Sequence, residues 1–125
     1  MANSAGYHEP DDKLRDETKD NHRALTSMQE ELEAADWYDQ RVDAATDPEL
    51  KEILAHNRDE EKEHFVMLLE WYRRRDAKMS AELKERLFAS GSIVLQEQAG
   101  KAGGGAADAG ADSLGIGSLR GGQGL

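Results

Sequence analysis

The chain has 125 residues, 34% of them charged, with a formal net charge of -10, a pI near 4.8 and no cysteine. An acidic surface repels nucleic-acid phosphates and suits cations, and the lack of cysteine excludes disulfides, zinc fingers and redox thiol pairs. No apolar run approaches the roughly 20 residues that span a bilayer, and Met1-Ala2-Asn3-Ser4 has neither a charged n-region nor an apolar h-region. A soluble protein made in the cytoplasm is therefore expected, without nucleic acid or membrane among its partners.

Residues 1–9 read as a short flexible lead, and the ordered body is expected over 10–98. So small a body depends on oligomerisation, metal or disulfides, and of these only the first two remain. Helix one is expected from about Asp11 to Ala45. Within it Met28, Glu31, Ala35, Tyr38 and Val42 step by 3, 4, 3 and 4, a helical seam carrying one carboxylate in an apolar stripe. His8 falls in the lead and His22 on the polar side of this helix, where surface roles suit both.

Thr46-Asp47-Pro48-Glu49 reads as a stop and restart: a small polar cap, proline where its missing N–H does no harm, and an acid beside the positive end of the dipole. Helix two then runs from about Glu49 to Arg75. Its face Leu50, Leu54, Asn57, Glu61, His64, Leu68, Trp71 is unbroken, with three consecutive polar places. Burying a carboxylate and an imidazole costs several kcal/mol per charge unless each finds a partner, and a bound cation is a natural one. A Glu-x-x-His taken alone is common and is far more often a solvated pair than a metal ligand; the carboxylate of Glu31 on the preceding helix raises its weight. Glu60, Glu63 and His56 point to other faces and read as solvated, as does Arg73-Arg74-Arg75 at the helix end. Trp71 reads as a core residue.

A third helix is expected over Ser80–Ala89, ended by Gly91. Ser92-Ile93-Val94-Leu95-Gln96 fits either a helical turn or a short extended piece, and the lack of any partner strand favours helix. Beyond Gln98 lie ten of the twelve glycines and no aromatic residue, so 99–112 reads as a Gly/Ala-rich linker. In 113–125, Leu114, Ile116 and Leu119 cluster among glycines; an extended peptide of this kind can dock alternate side chains on a receptor, although a random tail has the same composition. Gly115-x-Gly117 lacks the strand, helix and lysine of a phosphate cradle.

Folding the two long helices about residue 46 puts Glu31 and Glu61 level, each fifteen residues from the fold, with His64 one turn further along. Two carboxylates and an imidazole offer oxygen and nitrogen donors suited to iron or manganese. A four-helix di-metal bundle needs a Glu from each of two helices and a Glu-x-x-His from each of two others. One chain has half of these. The expected fold is therefore all-α, an antiparallel two-helix hairpin plus a short C-terminal helix, dimerising into a ferritin-like four-helix bundle with its metals at the subunit interface.

Three stretches carry a resemblance. Glu30-Glu31-Leu32-Glu33-Ala34-Ala35-Asp36-Trp37-Tyr38-Asp39-Gln40-Arg41, Ala55-His56-Asn57-Arg58-Asp59-Glu60-Glu61-Lys62-Glu63-His64 and Leu114-Gly115-Ile116-Gly117-Ser118-Leu119-Arg120 resemble the encapsulated ferritin family, cargo of encapsulin nanocompartments. The resemblance implies a ferroxidase that oxidises Fe(II) with dioxygen at a di-iron site formed by Glu31, Glu61 and His64 at a dimer interface, with the partner's Tyr38 nearby. It implies a further position where metal enters, lined by Glu30, Glu33 and Trp37. It also implies a ring of ten subunits and a C-terminal peptide, Leu114, Gly115, Ile116, Gly117, Ser118, Leu119 and Arg120, that directs the enzyme into the encapsulin shell. Iron storage and homeostasis would follow.

On the residues alone, Tyr38 is two turns from Glu31, and core packing and a hydrogen bond near the metal fit it equally. A two-helix body encloses no storage cavity, so oxidation and storage are expected to be separate tasks. Two other readings share the ligands. One is a di-manganese or peroxidase-type carboxylate protein, the rubrerythrin-like form of which is disfavoured by the missing four-cysteine site. The other is a non-enzymatic helical cargo adaptor whose polar seam residues fix register.

Overall fold

A computed structural model describes residues 6–102. Among them every regular element is helical: a 3-10 turn at Asp11–Lys13, then α1 (Asp16–Ala44), α2 (Pro48–Arg75), α3 (Ala77–Arg86) and α4 (Ile93–Ala102). The all-α expectation holds. The chain divides into two compact units at Tyr72 and Arg73.

In the first unit the long helix begins later than the periodicity suggested. Pro10 is extended, the Lys13 N–H bonds to its carbonyl at 3.0 Å, and Leu14 and Arg15 are extended again with ψ of 134° and 155°. Asp16 and Glu17 then occupy the first turn of α1, where the positive end of the helix dipole favours acids. Asp11 instead pairs with Lys19 at 3.0 Å. The lead, expected to be loose, lays Tyr7 edge-on against His22 with ring centroids 5.0 Å apart. His22 is half-buried rather than on an open polar face.

The turn between α1 and α2 matches its expected chemistry. The Asp47 carboxylate accepts the Leu50 N–H at 2.9 Å, Pro48 opens the helix, and the Ala45 N–H closes α1 onto the Arg41 carbonyl at 2.9 Å. Arg58 on α2 then reaches Asp39 on α1 at 2.9 Å. The interior of this hairpin is thin. Ala24 and Met28 alone are buried among the described residues, while Leu32, Trp37, Leu50, Ile53, Val66 and Met67 are exposed.

In the second unit α3 starts at Ala77 and ends at Arg86, three residues earlier at each end than the expected Ser80–Ala89. The shift has a local cause: the Asp76 carboxylate accepts the Met79 N–H at 2.7 Å and so caps the helix there. Glu82, one turn from Lys78 at 2.7 Å and from Arg86 at 3.0 Å, is held below the usual carboxylate range, Lys78 contributing most. Leu87 is extended, Phe88 takes φ of 60°, and Gly91 takes φ of 89°, reversing the chain. The left-handed conformation at Gly91 suits a residue without Cβ; Phe88 adopts it while 80% exposed.

Ser92 caps α4 by accepting the Leu95 N–H at 3.2 Å, so the ambiguous Ser92–Gln96 segment is the start of a helix. That helix passes Gln98 and reaches Ala102. A Cβ added at Gly100 would come within 2.5 Å of the Glu85 carboxylate, which shows how closely α4 lies against α3. The segment 113–125 and most of the 99–112 linker lie outside the described residues.

Candidate metal centre

α1 and α2 bring together the three residues singled out by their seams. His64 Nδ1 lies 3.3 Å from a Glu61 carboxylate oxygen and 3.5 Å from one of Glu31. The ligand atoms of Glu31, Glu61 and His64 all fall within 4.8 Å of one another, the one such convergence of three or more histidine and acidic side chains identified among the described residues. The geometry follows from the repeats: Glu61 and His64 are i and i+3 on one face of α2, and the hairpin sets Glu31 opposite them. The Glu31 and Glu61 side chains are 25% and 21% exposed and that of His64 47%, so the cluster is half-open to solvent.

Its electrostatics are those of a site short of positive charge. Glu31 is raised from its ordinary 4.5, first by a hydrogen bond shared with Glu61 and then by burial and the charge of Glu61, with His64 opposing. For His64 the largest single influence is desolvation, which lowers it; Glu61 and Glu31 together outweigh this, and the imidazole ends above its ordinary 6.5. Two carboxylates held this close disfavour double ionisation unless a cation lies between them. The donor set fits a divalent ion that accepts oxygen and nitrogen, as Fe(II) and Mn(II) do, and offers no thiolate. A groove of about 720 Å³ opens beside the cluster, lined by Glu31 and His64 and by apolar Ala24, Met67, Leu68 and Trp71. Trp71, expected in the core, is half-buried along this groove.

The remaining expected residues stand apart from the triad. Tyr38 is half-buried, with the Arg41 guanidinium 5.1 Å from its ring centroid. Glu30 and Trp37 are exposed and Glu33 half-buried; Trp37 lines a shallow depression with Gln40 and Arg41. His56 Nε2 lies 3.2 Å from a Glu60 carboxylate oxygen on the outer side of α2. Sequence reasoning passed over Arg58. An arginine one turn before a candidate ligand, facing the acid-rich end of the preceding helix, was the available signal.

An all-α, ferritin-like hairpin with a carboxylate and imidazole metal cluster on one face is the class that fold and site define. The chain belongs to the EncFtn-like family, the encapsulated ferritins, whose family model matches residues 6–90. It is 58% identical to an encapsulated ferritin-like protein of Rhodospirillum rubrum over 97% of this chain and 93% of that one. It is 37% identical to the encapsulin nanocompartment cargo protein EncC of Myxococcus xanthus, over 75% of this chain and 79% of that one. A crystal structure of a Nitrosomonas europaea protein superposes with a TM-score of 0.68 at 61% identity, covering 70% of this chain and 97% of that one. No helix among the described residues is long and apolar enough to cross a membrane.

Proposed function

We propose that the protein is a ferroxidase that oxidises Fe(II) to Fe(III) with dioxygen at a di-iron site shared between two subunits, and that it works as cargo inside an encapsulin nanocompartment. The observation that carries this reading is the convergence of Glu31, Glu61 and His64 on a face of the hairpin that remains open. One chain offers three ligands, half of what a carboxylate di-iron bundle uses. A second copy related by a two-fold axis supplies the other half and covers the apolar groove beside them. Tyr38 of one subunit then serves near the metals of the other, Glu30, Glu33 and Trp37 receive incoming iron, and five dimers close into a ring of ten.

The substrates are Fe(II) and dioxygen; each ferrous ion gives up an electron and dioxygen accepts it. The chain supplies binding and charge. Glu31 and Glu61 place anionic oxygens where the product is more highly charged than the substrate, which favours oxidation. His64 provides a neutral nitrogen donor after losing its proton. Once the second copy covers the groove, the apolar Met67, Leu68 and Trp71 exclude water from the site. Stored iron has no room within a two-helix body, so the ferric product passes to the shell lumen. The names of the Rhodospirillum and Myxococcus relatives, encapsulated and nanocompartment cargo, support that destination. The peptide Leu114, Gly115, Ile116, Gly117, Ser118, Leu119 and Arg120 is proposed to attach the enzyme to the shell, from a cytoplasmic origin.

Anaerobic Fe(II) titration followed by exposure to oxygen tests the reading, with Glu31→Ala and His64→Ala beside the wild type. Saturation near one iron per chain is expected, with both variants losing oxidation. Equal oxidation by all three proteins would return the seam residues to a structural role and favour the adaptor. Removal of residues 113–125 is expected to abolish shell loading and leave oxidation intact.

A further inference from the structure

We propose that Arg58 and Asp39 form a clamp that sets the axial register of α1 against α2 at the metal centre, and that both are positioning residues for cation binding. The inference rests on Glu31, Glu61 and His64 being that centre.

The site draws ligands from two helices, so its shape depends on how far one has slid along the other. A slip of one residue moves a ligand by about 1.5 Å, whereas metal–ligand distances tolerate about 0.2 Å. On one side of Glu31 the register is held by packing: the two buried side chains, Ala24 and Met28, precede Glu31 by two turns and one. On the other side, toward the α1–α2 turn, no side chain is buried. Ala35, Tyr38, Val42 and Leu54 are only half-buried there, and side chains that do not interlock as a packed core does leave two helices freer to slide.

Arg58 lies on that loosely packed side, three residues before Glu61 on α2. Its Nη1 donates to the Asp39 carboxylate of α1 at 2.9 Å and its Nε to Asp59 of its own helix at 3.0 Å. The Arg58 side chain is 23% exposed and Asp39 65%. Asp59 fixes the plane of the guanidinium from α2, and the fork then presents its other edge to α1 in one orientation, which a lysine ammonium would not do. The triad is thereby bracketed by Met28 on one side and Arg58–Asp39 on the other. So open an ion pair adds little to stability; what it contributes is alignment.

The test uses the full chain with Co(II), whose visible bands report coordination geometry, and with Fe(II) under anaerobic conditions. Asp39→Asn, Arg58→Gln and the double variant are compared with wild type by metal titration, and each metal-free protein by circular dichroism and thermal melting. Each single change is expected to weaken Co(II) binding on the order of tenfold, the lower end for groups that orient ligands, and to shift the bands, while helix content and melting hold. The double variant is expected to lose no more than either single, because one clamp is removed in all three. Arg58→Lys keeps the charge without the fork and recovers only part of the affinity. Unchanged Co(II) affinity and bands, additive losses, or losses that only track melted helix would overturn the clamp. A wild type that binds no stoichiometric Co(II) would overturn the metal centre with it, whereas wild-type binding beside unaffected variants overturns the clamp alone.

Discussion

Glu31, Glu61 and His64 compete for protons with the cation they are read to bind. His64 and Glu31 are both raised above their ordinary values, His64 because the two carboxylates outweigh its desolvation and Glu31 chiefly through Glu61. A group whose folded value lies above its unfolded one stabilises the fold below the unfolded value and loses that contribution as pH rises through the folded one. In metal-free protein the contribution of His64 is therefore present below its ordinary 6.5 and fades as pH climbs past its raised value. Glu31 behaves likewise above its ordinary 4.5. A divalent ion replaces those protons, so metal is expected to raise the melting temperature more at mildly alkaline than at mildly acidic pH. Melts with and without Mn(II) across that range check this, and a metal-induced shift that shrinks as pH rises would count against the site. The convergence of Glu31, Glu61 and His64 was legible in the sequence because a 3,4 repeat places each on a known face. Arg58 was not, because an arginine among charged neighbours carries no periodic signal and its value lies in reaching Asp39 across the hairpin.

At the level of elements, caps explain where α2, α3 and α4 start more sharply than hydrophobic periodicity does. Asp47 fulfils the cap read at the first turn, whereas Asp76 moved α3 three residues toward the N-terminus of its expected span. Both motifs are short-range. The Asp76 signal was masked by the arginine run before it, which suggested an unbroken helix end. The break before α1 was harder still to read, since Arg15 at its start makes no side-chain cap and the contacts around it, Tyr7 with His22 and Asp11 with Lys19, join residues well apart in sequence. Asp47→Ala and Asp76→Ala are each expected to cost about 1 kcal/mol by losing a cap hydrogen bond, measured by chemical denaturation. The Asp47 change should also weaken metal binding, because it loosens the turn that joins the two helices carrying Glu31, Glu61 and His64. The Asp76 change should leave metal binding unaltered.

At the scale of the whole molecule, the described residues are under-packed for a free-standing chain. With only Ala24 and Met28 buried among the described residues, and with Leu50, Ile53, Val66 and Met67 exposed on α2, the apolar surface removed from water is small against the ordering cost of two long helices. Dilution is therefore expected to lower both oligomer mass and helix content together, and Fe(II) or Mn(II) to oppose that loss. Sedimentation and circular dichroism over a concentration series measure the two. A helical monomer that persists on dilution would contradict the paired arrangement. Sequence length and composition anticipated this shortage of core, yet they could not say which faces stay open, since the seam residues Leu54, Leu68 and Trp71 are only half-buried in a single chain.

The half-set of ligands on the open hairpin face also has a genetic consequence. On the shared-site reading, a chain lacking His64 spoils the single centre that it builds together with its partner. Where mutant and normal copies are made in equal amounts and pair at random, only about a quarter of dimers contain two normal chains. Such an allele would behave as dominant, the share of spoiled dimers exceeding the share of mutant chains. Chains lacking Glu31 and chains lacking His64 would likewise fail to complement each other fully, since no pairing of the two restores a complete ligand set.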